Sequence, residues 1–136
     1  MPHTGVIDDS LKGEQELLAR AHLHLKGGLD RLENKLEEDA VAALYDAISS
    51  AMQRFTYPGV SNQTLIIKEG EDISEDMTLF NVLRRTGIID NSVSEDDFTY
   101  IETVLDDALE YRLSNFNRGK FIETTNRLLM QLHVIP

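Results

Sequence analysis

The residues of this chain best suited to chemistry are its histidines and carboxylates. His22 and His24 are two residues apart, so on a helix their side chains point about 200° apart and cannot both bind one metal ion. His22 falls in a row of leucines, where we expect a core or interface histidine in preference to a ligand. The sequence contains no Glu-x-x-His pair of the kind that marks di-iron helical bundles. We therefore predict no metal site and no cofactor.

An acidic run from Glu69 to Asp76 contains five carboxylates and leaves two interpretations open. A calcium loop would use them as oxygen ligands, but the regular acid spacing and the closing glutamate of such a loop are missing. Acidic residues at the start of a helix also interact favourably with the positive end of its dipole. We favour this second interpretation, which predicts a helix that begins near Glu75.

The C-terminal part of the chain has the opposite charge balance. From Tyr111 onward there are four basic residues and a single acidic one, Glu123. One interpretation is cations placed near a helix C-terminus, and the other is a site for a phosphate or an acidic partner. The residues that would form such a site are Arg112, Asn117, Arg118 and Lys120.

Composition excludes several classes of protein. The chain has 136 residues, a net charge of −11 and no cysteine, so it has no disulfide and no thiolate chemistry. A strongly acidic protein is poorly suited to broad nucleic-acid binding, because phosphate contacts require a basic surface. The polar N-terminus does not look like a secretory signal, and no apolar run reaches the ~20 residues that span a bilayer. We predict a cytoplasmic protein without membrane association.

The segment Glu37–Phe55 predicts the central helix of the fold. Its apolar residues recur at steps of three and four, and small alanines alternate with large side chains, so neighbouring helices can approach on more than one side. A turn near residues 34–38 would connect it to a preceding helix.

That preceding helix carries a heptad-like row, which we call the leucine row: Leu11, Gln15, Leu18, His22, Leu25, Leu29, Leu32 and Leu36. We expect Asp9 or Ser10 to cap it. The row runs through Gly27-Gly28, which together cost about 1–2 kcal/mol in a helix interior relative to alanine. Either the helix breaks there, or a neighbour packs against bare backbone. Because the phase of the row continues past the glycines, we favour one long helix.

The rest of the chain predicts three shorter helices after a long loop over residues 58–74, in which residues 64–68 form a short strand or an ordered loop. We expect a third helix up to Thr86 with Gly87 as its C-cap, a fourth opened by the capping box Ser94–Asp97 and extending to Phe116, and a last one from Phe121. The fold class is all-α: a single domain, residues 1–136, built as an antiparallel bundle of about five helices with a flexible tail at residues 1–8.

The order of motifs resembles the HEPN superfamily of small helical bundles. The resemblance rests on Leu44-Tyr45-Asp46-Ala47 in the central helix, the short Leu-Phe-x-x-Leu helix at 79–83, and Gly-Ile-Ile-Asp at 87–90. It implies a protein that is often dimeric, and either a partner of a nucleotidyltransferase or a metal-independent ribonuclease. In the active members an arginine steadies the phosphate, and a histidine a few residues later handles the proton of the attacking hydroxyl.

That catalytic pair is incomplete in this chain. Arg112 stands where the resemblance places the arginine, but no histidine follows it. Arg127 and His133 match the bare spacing, although a leucine follows the arginine. The resemblance therefore implies a non-catalytic member, with Arg127 and His133 as the candidates for catalysis if the protein is a ribonuclease.

Three functions follow as hypotheses. The first is a non-catalytic binding or regulatory protein that acts through protein–protein association, as a homodimer or with another chain, through the leucine row or exposed apolar residues. The second is a HEPN-type ribonuclease or nucleotide-binding partner of a nucleotidyltransferase. The third is a metal-dependent bundle enzyme that uses scattered acids with His22 or His24. We rank them in that order and expect no catalytic activity.

Overall fold

The described residues of the computed structural model, 12–114 and 116–136, form five α-helices and no strand. The helices are α1 (Glu14–Glu33), α2 (Glu37–Arg54), α3 (Asp76–Thr86), α4 (Glu95–Leu109) and α5 (Arg118–Gln131). The predicted all-α bundle is confirmed. The expected flexible tail at residues 1–8, the cap at Asp9 or Ser10, and Leu11 lie outside the described residues. None of the described helices is long and apolar enough to cross a membrane.

Helix α2 is the centre of the bundle, as its mixture of small and large apolar residues predicts. It contacts each of the other four helices, whereas α1 contacts no described helix except α2. Alanines at 40, 43, 47 and 51 are fully buried and allow the neighbours to approach closely. The largest side chains of the core come from other helices, with the rings of Phe80 in α3 and Phe98 in α4 stacked at 4.6 Å.

Helix α1 runs without a break through Gly27 and Gly28, which confirms the prediction of one long helix. Both glycines are buried, and Gly28 faces α2. A Cβ atom built on Gly28 would lie 2.7 Å from Cγ and Cδ2 of Leu44, far closer than van der Waals contact. A glycine is required at position 28 because α2 packs directly on the backbone of α1.

Only part of the leucine row is buried. Leu25 and Leu32 are buried against α2, but His22, Leu29 and Leu36 are exposed. His22 is therefore not a core residue, and its place at an interface stays a prediction; His24 is buried instead, with 3% of its surface exposed. The physical reason is that Ala21 and Gly28 are small, so α2 packs most closely on their side of α1. The buried face is therefore rotated by about one residue around the helix from the leucine row.

The local signals for α3 and α4 are largely confirmed. Gly87 adopts a left-handed conformation with φ 94° and ends α3. Ser94 and Asp97 form both hydrogen bonds of a capping box. The predicted extension of the fourth helix is wrong, because α4 ends at Leu109 and Tyr111 takes a positive φ of 54°. Leu113 and Phe116 pack on the core from the connection that follows.

Candidate functional site

The connection between α2 and α3, residues 55–75, is the longest irregular segment within the described part of the chain. Ordered loops longer than about 12–15 residues are uncommon in compact domains and are often functional. Three of the exposed large apolar side chains lie on it, namely Tyr57, Ile66 and Ile67. It corresponds to the predicted loop at 58–74, and residues 64–68 take the ordered-loop alternative without a strand.

Arg85 holds this connection against the end of α3. Its guanidinium makes two hydrogen bonds to the Glu71 carboxylate, at 2.7 and 2.8 Å, and a third to the carbonyl of Ile66 at 2.8 Å. The backbone N–H of Ile66 donates to Oγ1 of Thr86 at 2.9 Å. Hydrogen bonds from Arg85 and the Lys68 backbone lower the pKa of Glu71 to about 2. The connection is therefore fixed before any partner arrives.

Glu71 and its neighbours do not serve mainly as a helix start. Glu71 pairs with Arg85, and Asp72 accepts hydrogen bonds from the hydroxyl and N–H of Ser74, which lower the pKa of Asp72. Of the five acids in the run from Glu69 to Asp76, only Asp76 lies in the first turn of α3. No group of three or more metal-binding side chains occurs within the described residues. The acidic run is thus partly a set of loop contacts, which the sequence did not predict.

An open groove of about 450 Å³ follows the connection, and we call it the loop groove. Its apolar lining residues are Phe55, Tyr57, Pro58, Leu65, Ile67 and Ile73. The remaining lining residues are glycine or uncharged polar residues, so no described residue of the lining carries a charge. A second cavity of about 330 Å³ lies beside it, shares Phe55, Ser61, Asn62 and Gln63 with the groove, and is also lined by Gly87 and His133.

The four predicted phosphate-site residues lie at the start of α5 and just before it. Asn117 caps α5 by accepting the N–H of Lys120 at 3.0 Å. Each cation already has a neighbour: Arg112 lies 3.0 Å from Glu110, Arg118 lies 3.9 Å from Glu37, and Lys120 lies over the ring of Tyr100. The phosphate or acidic-partner site stays a prediction, but these contacts reduce the positive charge available to a ligand.

The candidate catalytic pair is not arranged as one site. Arg127 is inside α5, where it bonds Glu123 at 2.8 Å and the carbonyl of Ser92 at 3.1 Å. His133 follows the end of α5 with φ 62°, and its ring lies 6.3 Å from that of Phe55. The helical spacing that matched the two residues is therefore lost, because the helix ends between them.

A buried contact between α1 and α2 involves His24, which the sequence offered only as a metal-ligand candidate. Nε2 of His24 lies 3.0 Å from Oδ2 of Asp46, and Arg20 lies 4.0 Å from the same oxygen. Asp46 belongs to the Leu-Tyr-Asp-Ala motif of α2. With 3% of its surface exposed, His24 is placed to fasten the two helices and not to meet a substrate.

The neighbouring Tyr45 joins three helices. Its hydroxyl lies 3.0 Å from a carboxylate oxygen of Asp76 in α3 and 3.1 Å from one of Glu102 in α4, while Ser49 donates to Asp76 at 2.9 Å. Burial, helped by the two carboxylates, raises the pKa of Tyr45. Because a phenol has one proton, it can donate to one carboxylate at a time. We call Tyr45, Ser49, Asp76 and Glu102 the tyrosine cluster.

Because of the tyrosine cluster, we expect the free energy of unfolding to depend on pH. Burial, followed by the charges of Asp76 and Asp106, raises the pKa of Glu102. The folded chain therefore binds the carboxyl proton of Glu102 more tightly than the unfolded chain does. This stabilising contribution is lost as pH rises through the folded-state pKa of Glu102. We expect Glu102→Gln to raise the free energy of unfolding at pH 7 by about 0.5 kcal/mol, a modest value because solvent screens this partly exposed group.

Urea titrations across pH would measure this effect. The stabilities of Glu102→Gln and the unsubstituted protein should converge as pH falls towards the ordinary glutamate pKa of about 4.3. Glu69→Gln, which removes the same charge from the exposed connection, should change stability little at any pH. A Glu102→Gln protein that is less stable at pH 7 than the unsubstituted protein would refute this description of Glu102.

Comparison of the chain with models of protein families, with curated proteins and with solved structures finds no match in any of the three. The resemblance to the HEPN superfamily therefore stays a prediction. Sequence reasoning missed the loop groove, the contact of His24 with Asp46, and the tyrosine cluster. The one usable signal was the length of the predicted loop, since residues that meet from three helices leave no trace in their spacing.

Proposed function

We propose that this protein is a non-catalytic association module that pairs with a second copy of itself through the outer side of α1. In support, the polar groups best suited to chemistry join elements of the bundle: Tyr45 joins three helices, His24 joins α1 to α2, and Arg85 fixes the α2–α3 connection. Side chains with these contacts are poorly placed to act on a substrate.

The observation that carries the proposal is the division of the leucine row. Gln15, His22, Leu29 and Leu36 are all exposed and occur at intervals of seven residues, which is the spacing of one position in a coiled-coil heptad. Gln15, His22 and Leu29 lie on α1, which contacts no described helix except α2, so a second helix can pack along them; Leu36 follows α1 as the N-cap of α2. Leu29 and Leu36 expose 41% and 51% of their surface.

A second copy is the occupant that the charges favour. Lys26 and Asp30 are both exposed on α1, one turn apart. If two α1 helices cross in antiparallel orientation near residue 28, Lys26 of each copy lies opposite Asp30 of the other. A two-fold axis requires such self-complementarity, because the same surface must meet itself.

Light scattering coupled to size exclusion tests this proposal. The unsubstituted protein is expected to show twice its chain mass of 15.4 kDa at micromolar concentration. Leu29→Glu should give the monomer, since two charges would be buried together at the axis, and His22→Glu should shift the equilibrium in the same direction. Leu109→Glu, at a more exposed leucine of α4, is the control and should remain dimeric.

A monomer for the unsubstituted protein, or a dimer that Leu29→Glu leaves intact, would refute pairing through α1. The alternative function, a HEPN-type ribonuclease or a nucleotide-binding partner of a nucleotidyltransferase, remains a prediction of the resemblance. The separation of Arg127 from His133 by the end of α5 gives it less support than the exposed row gives to association.

A further inference from the structure

The loop groove is a second surface, separate from the outer side of α1, and its shape suits a short chain segment. Its floor is formed by Phe55, which is buried, and by the half-buried Leu65 and Ile73. Its walls, Tyr57 and Ile67, are 43% and 46% exposed. The exposed aromatic ring and Ile67 offer apolar area to an incoming side chain, and the uncharged polar lining offers hydrogen bonds to a backbone.

Charged residues of the α2–α3 connection lie close in sequence to the uncharged lining of the groove. Glu69 follows Ile67 by two residues, Asp72 directly precedes Ile73, and Glu75 follows Ile73 by two residues; all three acids are exposed. Lys68 is the one base within residues 66–75, and Glu71 is already paired with Arg85. The chain that borders the groove next to Ile67 and Ile73 is therefore mainly acidic, on a protein whose net charge is −11.

The rigidity of the connection favours recognition of a flexible partner. The Arg85–Glu71 pair and the two bonds to Ile66 fix the side of the connection that faces α3. Ile66 is not among the lining residues of the groove, whereas Ile67 is. A groove fixed in advance loses little conformational freedom on binding, so the ordering cost falls mainly on the partner.

We propose that the loop groove binds a short segment of another protein in which a large apolar side chain is flanked by lysine or arginine. The apolar side chain enters between Tyr57 and Ile67, and the basic residues pair with Glu69, Asp72 and Glu75. Acidic partners and nucleic acids are disfavoured by the same acidic residues, because their charge is repelled. This surface is independent of pairing through α1.

Fluorescence anisotropy with three labelled peptides tests the proposal on the full chain. In the first peptide a central leucine has two lysines on each side; in the second, glutamates replace the lysines; in the third, serine replaces the leucine. The first is expected to bind best, with an affinity that falls as salt is raised from about 50 to 500 mM. Equal binding of the first and second peptides would overturn the partner chemistry.

Neighbouring isoleucines provide the matched variants. Ile67→Ser should weaken binding of the first peptide about tenfold, because the apolar wall is lost, while Ile66→Ser should change it less than about twofold. Both side chains are exposed, so both variants should keep the helical circular dichroism spectrum. Equal effects of the two substitutions would overturn the assignment of the groove.

Charge reversal and oligomeric state complete the test. The double substitution Glu69→Lys, Glu75→Lys should weaken the lysine peptide and remove most of its salt dependence. Leu29→Glu should leave peptide binding unchanged, so failure of α1 pairing and failure of the groove are distinguishable. If Ile67→Ser dissociates a dimer of the unsubstituted protein, the groove holds a second copy and the proposal is wrong.

Discussion

Replacing Gly28 by valine is expected to lower the free energy of unfolding by about 3 kcal/mol. The added side chain would occupy the space of Leu44, whose Cγ and Cδ2 lie 2.7 Å from the position of a Cβ at residue 28. Leu44 is 1% exposed, so it has nowhere to move without disturbing the core. Since α1 contacts no described helix except α2, the substitution separates α1 from the rest of the bundle. Chemical denaturation monitored by circular dichroism would measure the loss.

Two further substitutions make this prediction specific. Gly28→Ala gains about 1 kcal/mol in helix propensity but still meets Leu44, so we expect a smaller net loss. Gly119→Ala, on α5, meets nothing nearer than 3.8 Å and should be neutral or slightly stabilising. If Gly28→Val unfolds at the same denaturant concentration as the unsubstituted protein, the close contact of α1 and α2 does not exist.

Tyr45→Phe is the second change with a large expected effect. It removes the one phenolic proton shared by Asp76 and Glu102, and leaves two carboxylates facing each other in a partly buried site. An unsatisfied buried polar group costs about 1–3 kcal/mol, so we expect a loss near 2 kcal/mol at pH 7. The raised pKa of Glu102 should rise further without this donor, so the loss should be smaller at pH 5 than at pH 8.

The control is Tyr100→Phe, because the hydroxyl of Tyr100 makes a single long contact of 3.5 Å to the carbonyl of Asn117. That substitution should cost much less. Combining Tyr45→Phe with Glu102→Gln should recover part of the loss, since one of the two facing charges is then absent. A loss for Tyr45→Phe that is small and constant across pH would contradict the shared-proton description of the cluster.

The helices were predictable because their signals are local. The capping box at Ser94 and the left-handed Gly87 each depend on a few neighbouring residues, and both are confirmed. The orientation of α1 was only half predictable. The leucine row was defined by the large apolar residues of α1. The packed face, however, is set by Ala21 and Gly28, whose small size lets α2 approach. Small residues therefore decided which half of the row stayed exposed.

The candidate surfaces depend on longer-range contacts. The loop groove exists because Arg85 of α3 reaches back to Glu71 and Ile66, and the sequence does not show which of several acids an arginine will choose. The end of α4 at Leu109 likewise falls short of the predicted end at Phe116. Loop length and composition indicated where a surface would be, but not its shape.

The central claim, pairing through the outer side of α1, can be tested most directly by disulfide trapping. The chain has no cysteine, so a single introduced thiol gives an unambiguous covalent product. Leu29 lies at the middle of the exposed row and near the expected two-fold axis, where two Cβ atoms can approach to the ~3.8 Å that a disulfide requires. Leu109→Cys, on a more exposed leucine of α4, reports random collision.

Under mild oxidation at micromolar concentration, Leu29→Cys should convert mostly to a covalent dimer before Leu109→Cys shows any, and the trapped dimer should keep the helical spectrum of the native protein. Equal, slow crosslinking of the two variants would mean that α1 does not meet a second copy, and the association proposal would have to be abandoned.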